Sequence, residues 1–132
     1  MDSNSPIGVF DSGLGGLTVL KELRRLLPHE NFIFVGDSAR APYGSRTPEE
    51  IISFLQQFMD YFQSCGVKMA VCACNTMTSY GYPVIKDKTS FALVPMNPAI
   101  IPAVKASANK HIGVIATEAT IKKGMHKQAA SN

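Results

Sequence analysis

One pattern, repeated three times in the first half of the chain, constrains the fold more than any other feature. A short apolar run is followed by a polar loop and then by a segment with apolar residues at helical spacing. Strands that alternate with amphipathic helices pair side by side in a parallel sheet, and the helices pack on its faces. The sequence therefore predicts an α/β fold, a parallel-sheet three-layer domain with helices on both faces.

The first unit has a strand at 7–10, a glycine-rich loop at 11–16 and a helix that ends at Pro28. The second has a strand at 32–35, a loop that runs to Arg46, and a strongly marked helix. That helix opens with Thr47-Pro48-Glu49-Glu50, which predicts an N-cap, a proline in the first turn and a capping box, and it stops near Gly66. One helical face is predicted for Leu17, Leu20, Leu23 and Leu27, and another for Ile51, Ile52, Leu55, Phe58, Met59 and Phe62.

The third unit begins with a strand at 69–73. Beyond it, the sequence predicts strands at 91–94 and 111–116, a helix between them, and a weakly helical tail from 120 to 132. The strand at 111–116 resembles the first strand, since both contain Ile-Gly-Val. We therefore expect two domains, a first α/β domain at 1–96 and the beginning of a second, similar one at 97–132.

Charge and hydropathy exclude several classes of protein. The net charge of +3 is scattered, with no basic run longer than two residues, and this does not favour nucleic-acid binding. No segment approaches the ~20 apolar residues that a membrane span needs, and the first six residues lack the features of a signal peptide. We expect a cytoplasmic protein with free thiols, because three closely spaced cysteines do not form a secreted disulfide framework.

The residues directly after the predicted strands are the candidates for chemistry, because ligands bind at the carboxyl ends of the strands of a parallel sheet. They include a carboxylate, a thiol, amides and hydroxyls that could converge on one cleft. The candidate segments are Asp11-Ser12-Gly13-Leu14-Gly15-Gly16, Asp37-Ser38-Ala39-Arg40-Ala41-Pro42-Tyr43-Gly44, Cys74-Asn75-Thr76, and Thr117-Glu118 with Thr120.

Cys74 is the candidate nucleophile or base, because it lies where an apolar strand ends and polar residues begin. Unpaired N–H groups at the start of a following helix favour a thiolate there. The alternative is a small buried hydrophobe, which is the interpretation that we favour for Cys65 and Cys72. A zinc site is not favoured, since Cys72-Ala73-Cys74 lacks the usual ligand spacing and the histidines are scattered.

The other candidates have structural alternatives that the sequence leaves open. The glycine loop matches neither a Walker A motif nor a dinucleotide fingerprint, so it is either a tight turn or an anion-binding loop. Asp11 could act only as a helix cap, and Tyr43-Gly44 could be an ordinary turn. Their common placement at strand ends is the argument for a site.

Taken together, the motifs Asp11 to Gly16, Asp37 to Gly44 and Ala73-Cys74-Asn75-Thr76 closely resemble those of the glutamate racemases, in the cofactor-independent aspartate/glutamate racemase family. The resemblance covers nearly all of this chain but only about the first half of the family's length. It implies conversion of L-glutamate to D-glutamate for peptidoglycan synthesis, with no cofactor. One cysteine thiolate removes the α-proton and a second thiol reprotonates the opposite face.

The resemblance also implies a role for each matching residue. Cys74 would be one of the two acid/base cysteines, assisted by Asp11. The substrate, glutamate, would be bound by Asp11, Ser12, Pro42, Tyr43, Gly44, Asn75, Thr76, Thr117 and Thr120. Met77 and the stretch Met96-Asn97-Pro98 are unusual for the family and bear on substrate choice.

No cysteine follows Cys74 in this sequence, so the family's second cysteine has no counterpart here. We therefore expect the chain to be inactive as a racemase when it is alone. Two alternatives remain. In a homodimer, each chain could supply its own Cys74, whereas a non-catalytic α/β module would bind only a small amino acid or anion.

Overall fold

The structure is a computed structural model that describes residues 3–124 and 126–127; the remainder of the helical tail predicted to residue 132 lies outside the described residues. Strands and helices alternate through the first three units, as the sequence predicts. The elements are β1 (Ile7–Asp11), α1 (Gly16–Leu26), β2 (Phe32–Gly36), a 3-10 turn (Tyr43–Ser45), α2 (Pro48–Ser64), β3 (Met69–Cys72), α3 (Asn75–Tyr80), α4 (Tyr82–Ile85), β4 (Ala92–Val94), α5 (Ile100–Ala106) and α6 (Glu118–Lys123).

The four strands form one sheet in the order β2-β1-β3-β4, and all neighbouring pairs are parallel. This confirms the predicted α/β fold. Phe10 of β1 lies beside Val35 of β2 on one side and beside Cys72 of β3 on the other. These three strands therefore end at the same edge of the sheet, and the loops that follow them meet there.

The main core lies between the sheet and α2. The ring of Phe10 is stacked on Phe58, with centroids 4.9 Å apart, and lies 5.7 Å from the ring of Phe62. A Cβ at Gly8 would come within 2.8 Å of the Phe62 ring, so α2 contacts the backbone of β1 directly. Burial of these large aromatic side chains is the main driving force for docking α2 on the sheet.

The ends of α2 are where the sequence predicts them. The Thr47 hydroxyl accepts a hydrogen bond from the Glu50 N–H, and the Glu50 carboxylate accepts one from the Thr47 N–H, which completes the capping box. This second bond is the main reason that the pKa of Glu50 lies below its ordinary value. Gly66 follows the helix with a φ of +64°, a conformation that favours glycine.

Helix α1 lies on the opposite face of the sheet and is held mainly by its first turn. Gly16 is buried, and a Cβ there would lie 2.6 Å from the Cβ of Asp11. The predicted helix is confirmed, but its leucine face is only partly covered by the described residues: Leu20 and Leu23 are half-buried, whereas Leu17 is 45% and Leu27 is 40% exposed. Within residues 3–124 and 126–127, no helix has both the length and the apolar character needed to cross a bilayer.

The fifth strand predicted at 111–116 is wrong, because this segment has no regular structure. Val114 is 38% exposed and Ile115 is fully exposed. An isolated strand leaves its backbone N–H and C=O groups without partners, and no strand of the described residues lies beside this one to accept them. The run of apolar, mostly β-branched residues suits a sheet, but a strand also needs a neighbour.

We predict that Gly36→Ala destabilises the fold, because a Cβ at Gly36 would lie 2.2 Å from the carbonyl oxygen of Gly13. Relieving this clash has to move backbone, and overpacking of this kind costs roughly 1–3 kcal/mol in the free energy of unfolding. Urea denaturation followed by circular dichroism measures the change. Gly113→Ala is the matched control, since a Cβ there meets nothing within 4 Å. Equal stability of the two variants would contradict the close packing of β2 on the glycine loop.

Candidate active site

A cleft of about 430 Å³ opens at the edge of the sheet where β1 and β3 end. Three parts of the chain form its walls: the glycine loop with the first turn of α1, the start of α3, and the segment that leads into α6. The lining residues are Asp11, Ser12, Gly15, Thr18, Val19, Ala73, Cys74, Asn75, Thr76, Met96, Ile115, Ala116, Thr117 and Thr120.

Cys74 occupies the position that its sequence context predicts. It is the N-cap residue of α3, with extended backbone angles (φ −114°, ψ 118°), directly between β3 and the helix. The residue is only 6% exposed, and its thiol donates to the Ser12 hydroxyl across 3.5 Å. The sulfur therefore lies against the glycine loop, at the wall of the cleft.

Asp11 organises that loop. One carboxylate oxygen, Oδ2, accepts hydrogen bonds from the N–H of Gly13 at 3.2 Å and from the N–H of Gly16 at 3.0 Å. The second of these groups belongs to the first turn of α1 and would otherwise have no acceptor within the helix. Asp11 is 7% exposed, and its carboxyl group lies at the cleft beside the loop that carries Ser12.

Three threonine hydroxyls form a cluster, which we call the hydroxyl cluster, on the wall made by α3 and α6. The Oγ1 of Thr76 lies 3.0 Å from that of Thr117 and 3.4 Å from that of Thr120, and the last two are 3.0 Å apart. Thr117 also caps α6, because its hydroxyl accepts from the Thr120 N–H. Each hydroxyl has one proton, and the cluster suits a carboxylate when these protons turn from the neighbouring hydroxyls toward the ligand.

The turn at 42–45 lies outside the cleft and packs against one of its walls. Tyr43 is buried, its ring packs 5.1 Å from that of Phe54, and its hydroxyl donates to Asp37. Burial, followed by this hydrogen bond, raises the pKa of Tyr43 far above its ordinary range. Gly44 packs on Thr117, where a Cβ would come within 2.7 Å of the threonine Cβ. The turn thus touches the hydroxyl cluster from outside.

Comparison with known proteins agrees with this geometry. Residues 7–132 match the family described as Asp/Glu/Hydantoin racemase. The chain belongs to this family. The chain is also 45% identical over 127 residues to the glutamate racemase of Trichormus variabilis, and the match covers 95% of this chain and 42% of that protein.

Solved structures of glutamate racemases have the same fold as this racemase-family chain. The enzyme from Aquifex pyrophilus superposes with a TM-score of 0.88 at 38% identity, over 96% of this chain and 50% of the other. The enzyme from Francisella tularensis, solved in complex with D-glutamate, gives a TM-score of 0.78 at 36% identity, over 96% of this chain and 48% of the other. The chain therefore spans about half the length of the relatives that it matches.

Most of the site residues predicted from the racemase resemblance line the one cleft, whereas three do not. Pro42, Tyr43 and Gly44 are absent from its walls. The remaining predicted residues, Asp11, Ser12, Cys74, Asn75, Thr76, Thr117 and Thr120, all line it. The chemical roles assigned to these residues stay predictions.

Several wall residues were missed by the sequence analysis. Thr18 and Val19 lie in the first turn of α1, directly after the glycine loop. Their closeness in sequence to that loop is the signal that could have identified them. Ile115 and Ala116 precede Thr117, but the sequence analysis placed them in a strand. Met96 stands out in the sequence only as unusual for the racemase family. Nothing in its local sequence indicates that it reaches the cleft.

Cys72 differs sharply from Cys74, although only one residue separates them. Its side chain is fully buried in the core, and this burial raises the pKa of its thiol to about 12. Cys72 Sγ donates to the Cys74 carbonyl and accepts from the Thr78 hydroxyl, each at 3.5 Å. Across the described ranges, no group of three or more His, Cys, Asp or Glu side chains is placed to hold a metal ion.

We predict that iodoacetamide at pH 8 modifies Cys74 in the folded protein and spares Cys72. Burial raises the pKa of the Cys72 thiol far above 8, so this thiol stays protonated and unreactive at that pH. Peptide mass spectrometry after timed alkylation measures both sites, and alkylation in denaturant is the control that shows both can react. Equal rates for Cys72 and Cys74 in the folded protein would contradict the prediction.

Proposed function

We propose that this chain supplies one catalytic half of a glutamate racemase, with Cys74 as one of the two acid/base groups. The observation that carries the proposal is the placement of the Cys74 thiol in the same cleft as the hydroxyl cluster. A base lies in the same cleft as hydroxyl groups that can donate hydrogen bonds to a carboxylate. This combination suits proton abstraction from the α-carbon of an amino acid. The relatives named glutamate racemase support this substrate, as does the Francisella tularensis enzyme that binds D-glutamate.

In the proposed reaction, the Cys74 thiolate takes the α-proton and becomes a thiol. The electrons of the C–H bond stay on the α-carbon and spread into the α-carboxylate, which gains negative charge. Hydrogen bonds from the hydroxyl cluster and Asn75 stabilise that charge in the transition state. Ser12, in contact with the sulfur, and the Asp11 carboxylate assist Cys74 and meet the substrate ammonium group.

Inversion then requires a proton donor on the other face of the α-carbon. The family resemblance implies a second cysteine for this step, and no cysteine follows Cys74 in this sequence. We therefore propose that the chain alone removes and returns a proton on one face, without racemisation. Completed by a second half, it would make D-glutamate for peptidoglycan in the cytoplasm.

We further propose that residues 97–132 begin a second α/β domain. The cleft supports this division, because Thr117 and Thr120 form its second wall opposite the glycine loop of the first domain. Segment 111–116 would then become a strand only beside the rest of that domain. The test is hydrogen exchange in the full-length Trichormus variabilis glutamate racemase. We expect the backbone N–H groups of the equivalent segment to be protected from exchange there.

We predict that the 132-residue chain catalyses exchange of the glutamate α-proton with solvent but does not racemise glutamate. In D2O, loss of the α-proton signal by NMR measures exchange, and circular dichroism measures racemisation. Cys74→Ser abolishes exchange, since a hydroxyl is far less acidic than a thiol. Cys65→Ser, at the half-buried residue that follows α2 and outside the cleft, is the matched control and retains exchange. Exchange that survives in Cys74→Ser would exclude Cys74 as the base.

The two alternative functions have distinct results in the same assay. A non-catalytic module binds glutamate or another small anion with no exchange, and the isolated hydroxyl cluster would be enough for that. A catalytic homodimer racemises glutamate, with a rate that rises as the square of protein concentration below its dissociation constant. Adding excess Cys74→Ala chain then suppresses racemisation by forming mixed dimers.

A further inference from the structure

Asp37 lies outside the cleft, directly after β2, and its side chain is 10% exposed. Its Oδ2 accepts a hydrogen bond from the Tyr43 hydroxyl and forms an ion pair with Arg40. A buried carboxylate with one neutral and one cationic donor is among the strongest polar arrangements in a protein. Asp37 therefore holds the end of the Tyr43 side chain in one place.

The rest of the Tyr43 side chain is equally constrained. Its ring is 1% exposed and packs against Phe54, while the Arg40 guanidinium lies over the same Phe54 ring, 4.1 Å from its centroid. Arg40 also donates to the Gln57 side chain at 2.9 Å, which ties the group to α2. Tyr43 is thus anchored at both its ring and its hydroxyl to a rigid part of the fold.

Gly44, the residue after Tyr43, connects the anchored tyrosine to the wall of the cleft. Gly44 packs on Thr117 so closely that a Cβ would lie 2.7 Å from the threonine Cβ and 2.9 Å from its methyl carbon. Thr117 Oγ1 in turn lies 3.0 Å from the hydroxyls of Thr76 and of Thr120. Any displacement of the turn therefore moves the centre of the hydroxyl cluster.

We propose that Asp37 is a positioning residue: through Tyr43 it fixes the turn at Gly44 against Thr117, and so sets the geometry of the hydroxyl cluster. The Asp37 side chain does not line the cleft, and its contacts are with the Tyr43 hydroxyl and the Arg40 guanidinium. This proposal rests on the proposed function only for the identity of the ligand, glutamate. The positioning itself is a property of the folded chain.

The consequence for binding follows from the geometry that a carboxylate needs. Hydrogen-bond donors have to be aimed within a fraction of an ångström for their full effect. When Asp37 loses its charge or Tyr43 loses its hydroxyl, only the ring still holds Tyr43, so the turn is held less tightly and Thr117 gains alternative positions. Glutamate should then bind more weakly, although each residue that lines the cleft is unchanged.

The experiment compares Asp37→Asn, Tyr43→Phe and the double variant in the 132-residue chain. Tyr43→Phe retains the ring on Phe54 and removes only the hydroxyl, so it tests the proposal even where Asp37→Asn does not fold. Tyr82→Phe, at the start of α4 and outside the cleft, is the matched control. The readouts are the methyl NMR signals of Thr117 and Thr120, the Kd for glutamate, and the rate of Cys74 alkylation in Tyr43→Phe.

We expect shifted or broadened methyl signals for Thr117 and Thr120 in both single variants, and a Kd raised about tenfold, the effect of losing one hydrogen bond to a charged group. The double variant should weaken binding no more than the stronger single variant, because both changes break one contact. Cys74 alkylation in Tyr43→Phe should stay within about twofold of wild type, whereas general loosening of the fold accelerates it.

Unchanged threonine signals in the folded Tyr43→Phe chain overturn the proposal, as does a Kd equal to that of Tyr82→Phe. Additive effects in the double variant also overturn it. Failure of the wild-type chain to bind glutamate is a different result: it contradicts the proposed function, while the methyl signals still decide whether Asp37 positions Thr117.

Discussion

The parallel register of β1 with β2 and β3 is the constraint on which the rest of the structure depends. Because Phe10 lies beside both Val35 and Cys72, the chain leaves all three strands at one edge of the sheet. Stacking of Phe10 on α2 holds this register, since a shift of one residue would turn the ring to the other face. Cys74 and Asp11 are neighbours for this reason, although they are far apart in sequence.

Each wall of the cleft is built on this edge by a different interaction. Asp11 shapes the glycine loop by accepting from two backbone N–H groups, and the loop places Ser12 on the sulfur of Cys74. The opposite wall comes from a later part of the chain and is held by side-chain hydroxyls. Tyr80 adds to it, because its hydroxyl donates to the Ala119 carbonyl of α6 at 3.0 Å.

The elements with strong local signals were predictable from the sequence, and those that need a neighbour were not. Thr47 and Glu50 begin α2 with a capping box that forms within one turn, so its start is visible in four residues. Segment 111–116 has an equally clear strand pattern but no strand beside it among the described residues, and it stays irregular. A strand forms its backbone hydrogen bonds with another strand, which is often far away in sequence. A helix forms most of its backbone hydrogen bonds within itself.

The amino-acid pattern alone predicts the parallel α/β class, the position of Cys74 between a strand and a helix, and the motifs that the chain shares with the racemases. What each loop residue faces depends on how the elements pack. Tyr43 belongs to a motif that suggests a binding role, yet its ring enters the core and its hydroxyl binds Asp37. Motifs record which residues occur together, but the direction of a side chain follows from packing against residues elsewhere in the chain.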